Sequence, residues 1–329
     1  MLWFDMPMGT VLLVAMAALG IEAAFGYPLG LYRRIGHPVT WIGTLVGALD
    51  RGFNRYDMSG GMRRAMGVLA LILIVAIPAF IAWMVERFLA PTWLGSVGIA
   101  VLASTLVASR SLFDHVRNVA SALDAGGVEP ARQAVGQIVG RDPQTLDAHG
   151  VARAAIESLA ENASDGVVAP VFWFVVLGLP GLAAYKAINT ADSMIGHKSV
   201  RHADFGWAAA RLDDLVNLPA SRLTALLIAV TAFAMPWASS AEAFRAMVRD
   251  ASRHRSPNAG WPESAMAGAL HLKLNGPKVY GGTLVADAYM GDGRQAATAQ
   301  DIRKALRLAA ATWLLMVAAL AMGAIMLQG

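Results

Sequence analysis

Cysteine is absent from this chain of 329 residues. Without thiols the protein has no thiolate metal site, no iron–sulfur cluster and no cysteine nucleophile. Charged residues are also scarce, at 15% of the sequence, and the formal net charge of +4 is spread over loops instead of forming one basic run. Such a distribution is typical of membrane topology signals, so no nucleic-acid partner is expected. Any chemistry must therefore use His, carboxylates, Lys, Arg, Asn and the backbone.

Two common catalytic motifs are also missing from the sequence. There is no Gly-x-x-x-x-Gly-Lys-Ser/Thr segment, which excludes a P-loop nucleotide site, and there is no His-Glu-x-x-His metal motif.

Apolar residues, in contrast, are abundant. They make up 56% of the chain, and the mean hydropathy is +0.50. Because each bilayer crossing needs about 20 apolar residues, we predict an all-α polytopic membrane protein with about five or six transmembrane helices, forming a single integral membrane domain over 1–329. The predicted spans are 8–31, 65–85, 92–108, 167–185, 220–240 and 306–327.

The predicted span 167–185 is interrupted at its centre by Leu177-Gly178-Leu179-Pro180-Gly181. Glycine and proline at membrane depth require protein or a cavity to satisfy the freed backbone groups, so the segment is either a kinked span or a re-entrant hairpin. The arginines of 32–64 place that loop in the cytoplasm. Positive-inside counting favours six crossings, whereas a re-entrant segment would keep 186–219 inside.

The same counting predicts a multi-pass protein of the cell (inner) membrane with its active site facing the cytoplasm. Residues 110–166 are predicted to be a helical cytoplasmic insertion, and 241–304 a cytoplasmic loop. Asp142-Pro143 is a favourable helix start, so we expect one helix from there to Ala163.

Polar residues are densest on both sides of the interrupted span. Asn162-x-x-Asp165 precedes it and Asn189-x-x-Asp192 follows it. This spacing places an amide and a carboxylate on one face of a helix end, and hard oxygen ligands of this kind suit Mg²⁺. Helix caps and interfacial ion pairs are the alternative, but ionisable groups near the bilayer are usually functional.

Further polar residues extend this set. Asp213 and Asp214 lie beside Arg211, and the loop after the fifth span carries Asn258, Glu263, Lys278 and Tyr280 among turn residues. Backbone N–H groups of such turns can bind an anion. His37 before Pro38 is either a turn residue or a substrate ligand, and we keep it as a candidate for substrate binding.

Taken in order, these motifs resemble the CbiB/CobD family, the membrane-bound adenosylcobinamide-phosphate synthases of cobalamin biosynthesis. One departure is Glu22-Ala-Ala-Phe-Gly26-Tyr27-Pro28, where the family typically has Asp-x-x-x-Gly-Asp-Pro. The matching segments are His37-Pro38-Val39, 138–142, 157–170, 186–196, 210–214, 256–263 and 280–282.

The resemblance implies ATP-dependent amide ligation, in which a carboxylate of adenosylcobyric acid is joined to (R)-1-amino-2-propanol or its O-phosphate. Mg²⁺ is the implied cofactor, ATP a co-substrate and the corrinoid a substrate. Membrane placement is compatible with a partner complex of other cobalamin-assembly enzymes.

Residue chemistry then suggests roles within this reaction. Glu161, Asp165 and Asp192 would hold Mg²⁺ with Asn162 and Asn189. Lys186, Lys198 and Arg211 would neutralise phosphate or carboxylate charge, and Asp213 or Glu157 would act as base. The residues expected to close over substrate are Asn258, Glu263, Lys278 and Tyr280.

Two other functions remain open at this point. A Mg²⁺-dependent intramembrane prenyl or alcohol phosphotransferase would also use paired Asn/Asp motifs, but would need more spans. A transporter would be expected to contain a second broken helix in an internal repeat, and the sequence shows none.

Overall fold

The computed structural model describes residues 6–140, 142–197, 199–280 and 283–328, with the backbone alone for 278–280, 283–285 and 328. Within this range the chain is built almost entirely from helices. The helices are α1 (Met8–Phe25), α2 (Leu29–Ile35), α3 (Pro38–Phe53), α4 (Gly60–Leu89), α5 (Trp93–Ser104), α6 (Ser109–Gly126), α7 (Val128–Val135), α8 (Ala148–Ala163), α9 (Ala169–Ile195), α10 (Trp207–Ala232), α11 (Ser240–Asp250), α12 (Gly260–Ala269) and α13 (Ala299–Gln328).

Six helical segments of the described residues are long and apolar enough to cross a membrane. Large apolar side chains of α4 remain exposed, including Phe80 and Phe88. Apolar surface of this extent suits a lipid environment. The predicted fold class, an all-α polytopic membrane protein, is therefore confirmed. The segments are Met8–Phe25, Gly60–Leu89, Trp93–Gly126, Ala148–Ile195, Trp207–Ala232 and Ala299–Leu327.

The helix boundaries differ from the predicted ones in several places. The first span ends at Phe25 because Gly26 adopts a φ of 57°, and α2 follows as a separate helix. The fifth is displaced towards the N-terminus, since α10 runs over Trp207–Ala232. Asp142 starts only a short 3₁₀ helix, Pro143–Thr145, and it is Asp147 that caps α8 through a bond from the Gly150 N–H. The expected single helix from 142 to 163 is therefore wrong.

Helix α9 contains the predicted interruption. Gly178 has a φ of 67° and a ψ of −160°, a conformation that favours glycine, and Pro180 follows it. The buried Glu86 of α4 accepts a hydrogen bond from the Leu179 N–H at 2.6 Å. A carboxylate thus satisfies a backbone group freed by the break, at the start of the second half of α9. A methyl group at position 178 would come within 2.6 Å of the Glu86 carboxylate.

The chain divides into two compact units. Unit 1 comprises Met1–Ala108, Ala169–Asn217 and Ala319–Gly329. In it α4 packs against α9, α3 packs against both, and α1 packs against α5. Its core includes Val46, Ile74 and Phe205, all fully buried.

Unit 2 comprises Ser109–Val168 and Leu218–Ala318. Helix α6 packs against α7 and α8, and α11 packs against α12. A π-helical turn, Ser164–Val168, follows α8. Four short strands form two antiparallel pairs, β1 with β4 and β2 with β3. The strands are β1 (Leu274–Asn275), β2 (Lys278–Tyr280), β3 (Thr283–Val285) and β4 (Tyr289–Met290).

Candidate active site

Asp213 is the centre of a buried polar network in unit 1. Its two carboxylate oxygens accept hydrogen bonds from Asn189 Nδ2 at 3.4 Å and Asn217 Nδ2 at 3.0 Å. Asn217 in turn accepts a bond from the Tyr185 hydroxyl at 2.9 Å. Among the described residues, no Lys, Arg or His nitrogen forms an ion pair with Asp213. The carboxylate is therefore oriented by neutral amides, which fix its position without neutralising its charge.

The second half of α9 carries three of the predicted site residues. Lys186, Asn189 and Asp192 follow each other at intervals of three, so they lie along one side of the helix. The carboxylate charge of Asp192 acts on Asp213, and the charge of Lys186 acts on His37. The structure thus links this face of α9 with Asp213 and His37, which are distant from it in the sequence.

His37 has a clear structural function in unit 1. It is the N-cap of α3: its Nδ1 accepts a hydrogen bond from the Val39 N–H at 3.2 Å, and Thr40 completes a capping box. The Tyr27 ring lies 4.3 Å from the imidazole, and its hydroxyl donates to the Gly36 carbonyl. Burial, and after it the positive charge of Lys186, lowers the pKa of His37. The neutral form that can accept the capping bond is therefore favoured.

The segment after α9 is fastened to α3 by an ion pair. Arg201 donates to one oxygen of Asp50 from both Nε and Nη2, at 3.1 and 2.8 Å. Burial raises the pKa of Asp50, but the hydrogen bonds from Asn54 and Arg201 outweigh it, and the pKa lies below its ordinary value. This attachment holds the chain that follows Asp192 in place. Lys198, predicted to bind phosphate, lies outside the described residues.

Arg211, another predicted phosphate ligand, is largely exposed and pairs with Asp214 at 3.1 Å. Both residues lie near the N-terminus of α10. A surface ion pair of this kind contributes little to stability, so the guanidinium can exchange this partner for an anionic substrate.

In unit 2, the predicted base Glu157 is buried within α8. Its Oε1 accepts a hydrogen bond from the Asn275 N–H at 2.8 Å, which ties β1 to the helix. This is a structural function that the sequence did not suggest. Glu157 binds the backbone of β1, whereas, among the described residues, only neutral amides hold Asp213. Asp213 is therefore the better candidate for the base.

The predicted metal ligands of unit 2 lie at the end of α8 and just beyond it. Asn162 donates from Nδ2 to the Ser158 carbonyl at 2.9 Å, so its side-chain oxygen faces away from that bond. Glu161 is in the last turn of α8 and Asp165 in the π-helical turn. Across the part of the chain that the structure describes, no three His, Asp or Glu side chains form a metal-binding group. The assignment of these ligands stays a prediction.

The loop predicted to close over substrate lies in unit 2 and has a definite structure. Asn258 Oδ1 accepts hydrogen bonds from Ser221 Oγ at 3.2 Å and Arg222 Nη1 at 3.0 Å. Glu263 is buried, with its Oε1 3.6 Å from His254 Nε2. Lys278 and Tyr280 lie in β2, but their side chains are outside the described part of the structure.

The networks around Asp213 and Asn258 include residues that were not among the predicted site residues. Asn217 could have been found, because it follows Asp213 by four positions on one helix. Tyr185 and Arg222 gave no comparable local signal, since their partners lie 32 and 36 residues away.

Comparison with known proteins identifies close relatives. The family model described as CobD/Cbib protein matches residues 15–309. The chain is similar to cobalamin biosynthesis protein CobD of Sinorhizobium sp, with 52% identity over 298 residues, 89% of this chain and 92% of the relative. A protein of the same name from Rhodobacter capsulatus is 51% identical over 290 residues, 88% of each chain. No solved structure matches the chain significantly.

Proposed function

Because the chain belongs to the CobD/Cbib family of cobalamin biosynthesis, we propose that it catalyses ATP-dependent amide ligation. A propionate carboxylate of adenosylcobyric acid is joined to (R)-1-amino-2-propanol or its O-phosphate, giving adenosylcobinamide or its phosphate. The observation that carries this proposal is the family match over 15–309. The network around Asp213 supports it with chemistry that the reaction needs.

The reaction requires two steps, activation of the carboxylate and attack by the amine. A carboxylate is a poor acyl donor, so ATP first transfers its γ-phosphoryl group to it, giving an acyl phosphate and ADP. The amine then forms the C–N bond, the C–O bond to phosphate breaks, and inorganic phosphate and a proton leave. The site must therefore supply a base for the amine proton and positive charge for the phosphoryl oxygens.

Asp213 is suited to the role of base. A carboxylate has about four lone-pair positions, and two of them are used by Asn189 and Asn217. The remaining positions can accept the proton of the substrate ammonium. Lys186, on the same helix as Asn189, would neutralise phosphoryl charge.

Mg²⁺ fits the donor set of this chain. The ion usually takes one or two protein carboxylates and leaves its other positions to water and substrate phosphates, so it does not require three acidic side chains in one group. The carboxylate and amide oxygens of Asp192 and Asn189 are of the right kind, as are those of Glu161, Asn162 and Asp165. When bound, the ion would neutralise phosphate charge as a Lewis acid.

We further propose that the protein resides in the cell (inner) membrane with this site facing the cytoplasm, where ATP is available. The arginine-rich loop 32–64 supports this orientation. Other enzymes of cobalamin assembly are the expected partners, because the corrinoid must be delivered and removed.

The test uses purified protein in detergent with adenosylcobyric acid, aminopropanol phosphate, ATP and Mg²⁺, and follows the corrinoid by mass spectrometry. Wild type should form the amide product and release ADP. Asp165→Asn and Asp192→Asn should lose product formation. Asp57→Asn is a matched control, because Asp57 is exposed and pairs only with exposed Arg55 among the described residues.

If wild type and the control make no amide although the corrinoid binds, the chain is a corrinoid-binding component and not the ligase. If the corrinoid does not bind, the proposal is wrong and a phosphotransferase becomes the leading alternative. Full activity of both variants would remove their residues from the metal site.

A further inference from the structure

Arg222 is a charged residue inside the candidate membrane span Trp207–Ala232. Ionisable side chains in such a position are expensive and usually have a functional partner. Arg222 is only partly buried. Among the residues that the structure describes, no Asp or Glu forms an ion pair with it, so its charge has no acidic partner there.

One nitrogen of the guanidinium holds the side chain in place. Nη1 lies within hydrogen-bond distance of the Leu218 carbonyl (3.2 Å), Ser221 Oγ (3.0 Å) and Asn258 Oδ1 (3.0 Å). Ser221 and Asn258 are both buried. The guanidinium carbon also lies over the Trp261 ring, 4.8 Å from its centroid. The side chain is therefore fixed from one edge and one face.

The other edge of the guanidinium is available. Arginine has five N–H donors, and in the described part of the chain neither Nε nor Nη2 of Arg222 has an acceptor. These two nitrogens are the fork that binds the two oxygens of a carboxylate or phosphate in parallel. Since the side chain is already fixed, binding an oxyanion there would sacrifice little rotamer entropy.

We propose that Arg222 binds a substrate oxyanion, a phosphate or a carboxylate, through Nε and Nη2, with Asn258, Ser221 and Trp261 as positioning residues. The inference deepens the proposed function and rests on it for the identity of the ligand. In that reaction the oxyanion has three sources: the amine's O-phosphate, the ATP phosphates or the corrinoid carboxylate. It also gives a function to the contacts of Asn258 and Trp261 with Arg222 of α10.

The first test compares steady-state kinetics of wild type, Arg222→Gln and Arg222→Lys with each substrate varied in turn. Losing two charge-assisted hydrogen bonds should raise KM for one oxyanionic substrate about tenfold or more, with a smaller change in kcat. The substrate whose KM rises is the source of the oxyanion. Arg222→Lys should recover part of the effect, because lysine keeps the charge but lacks the fork. Arg307→Gln, at an exposed arginine of the same unit, is the matched control.

The second test measures binding without turnover. Calorimetry of the purified full-length chain with each substrate separately should show one dissociation constant raised in Arg222→Gln and unchanged in Arg307→Gln. If wild type makes no amide but this loss of binding is seen, the ligase proposal fails and the oxyanion site stands. If Arg222→Gln does not fold, the dissociation constants of Arg222→Lys are compared with those of wild type instead. Unchanged KM and dissociation constants for all three substrates in a folded variant would overturn the inference.

Discussion

Two buried aspartates of this protein are held in opposite ways. In unit 1, Asp213 accepts hydrogen bonds from two neutral amides. In unit 2, Asp250 accepts two bonds from Arg249, at 2.9 and 2.7 Å, a further one from Arg253 and one from the Gly291 N–H. Burial raises the pKa of Asp250, but the hydrogen bonds from Arg249 and Gly291 outweigh it, and the pKa lies below its ordinary value.

The difference distinguishes structural from reactive carboxylates. A carboxylate bound by arginine and backbone N–H groups has its charge balanced and its lone pairs occupied, so replacing it disrupts several hydrogen bonds at once. A carboxylate oriented by amides keeps its charge for a ligand or a proton. The same contrast separates two arginines: Arg249 is bound by Asp250 and Asp292, whereas Arg222 has one donor edge available. Unit 2 thus contains both kinds of arginine.

The largest effect is expected for Asp213→Asn. Asparagine has nearly the same shape but cannot accept a proton, so kcat for amide formation should fall by about a hundredfold or more. The melting temperature in detergent should change little, because the side-chain oxygen of the new asparagine can still accept the hydrogen bond from Asn217. A kcat close to that of wild type would remove Asp213 from the role of base.

Asp250→Asn should lower the melting temperature and leave kcat nearly unchanged. The variant weakens the hydrogen bonds that Arg249 and Arg253 donate to this buried side chain, so the melting temperature should fall by about 6 °C or more. Turnover per folded molecule should stay close to wild type. Thermal unfolding in detergent combined with the amide assay measures both, with exposed Asp57→Asn as control. A variant as stable as wild type would show that arginine pairing does not distinguish the two aspartates.

The smallest effect concerns pH and His37. The pKa of His37 is lower in the folded protein than in the unfolded chain, so the unfolded chain binds the proton more readily. The stability that neutral His37 contributes is therefore complete above about pH 6.5. It is lost as the pH falls from there towards the folded-state pKa. His37→Asn, which can cap α3 without titrating, should therefore show a weaker loss of melting temperature between pH 7 and pH 5. Parallel curves of melting temperature against pH for the two proteins would contradict a lowered pKa of His37.

The sequence was a good guide wherever the signal was local. The apolar runs predicted the all-α membrane fold, Gly178 and Pro180 predicted the interruption of α9, and the ordered motifs predicted the family. Helix ends were less predictable: Asp142 caps only the short 3₁₀ helix, and the long helix begins after Asp147. The site roles proposed from residue chemistry stay predictions.

What the sequence determined by itself is what depends on neighbouring residues: helical periodicity, membrane propensity and the side chains that share one helix face, such as Asp213 and Asn217. Only the tertiary structure decided which distant groups meet. Glu86 caps a helix break 93 residues away, and Arg222 reaches Asn258 across 36 residues. The physical reason is that a buried polar group must find a partner wherever packing provides one, and the order of residues along the chain does not specify that place.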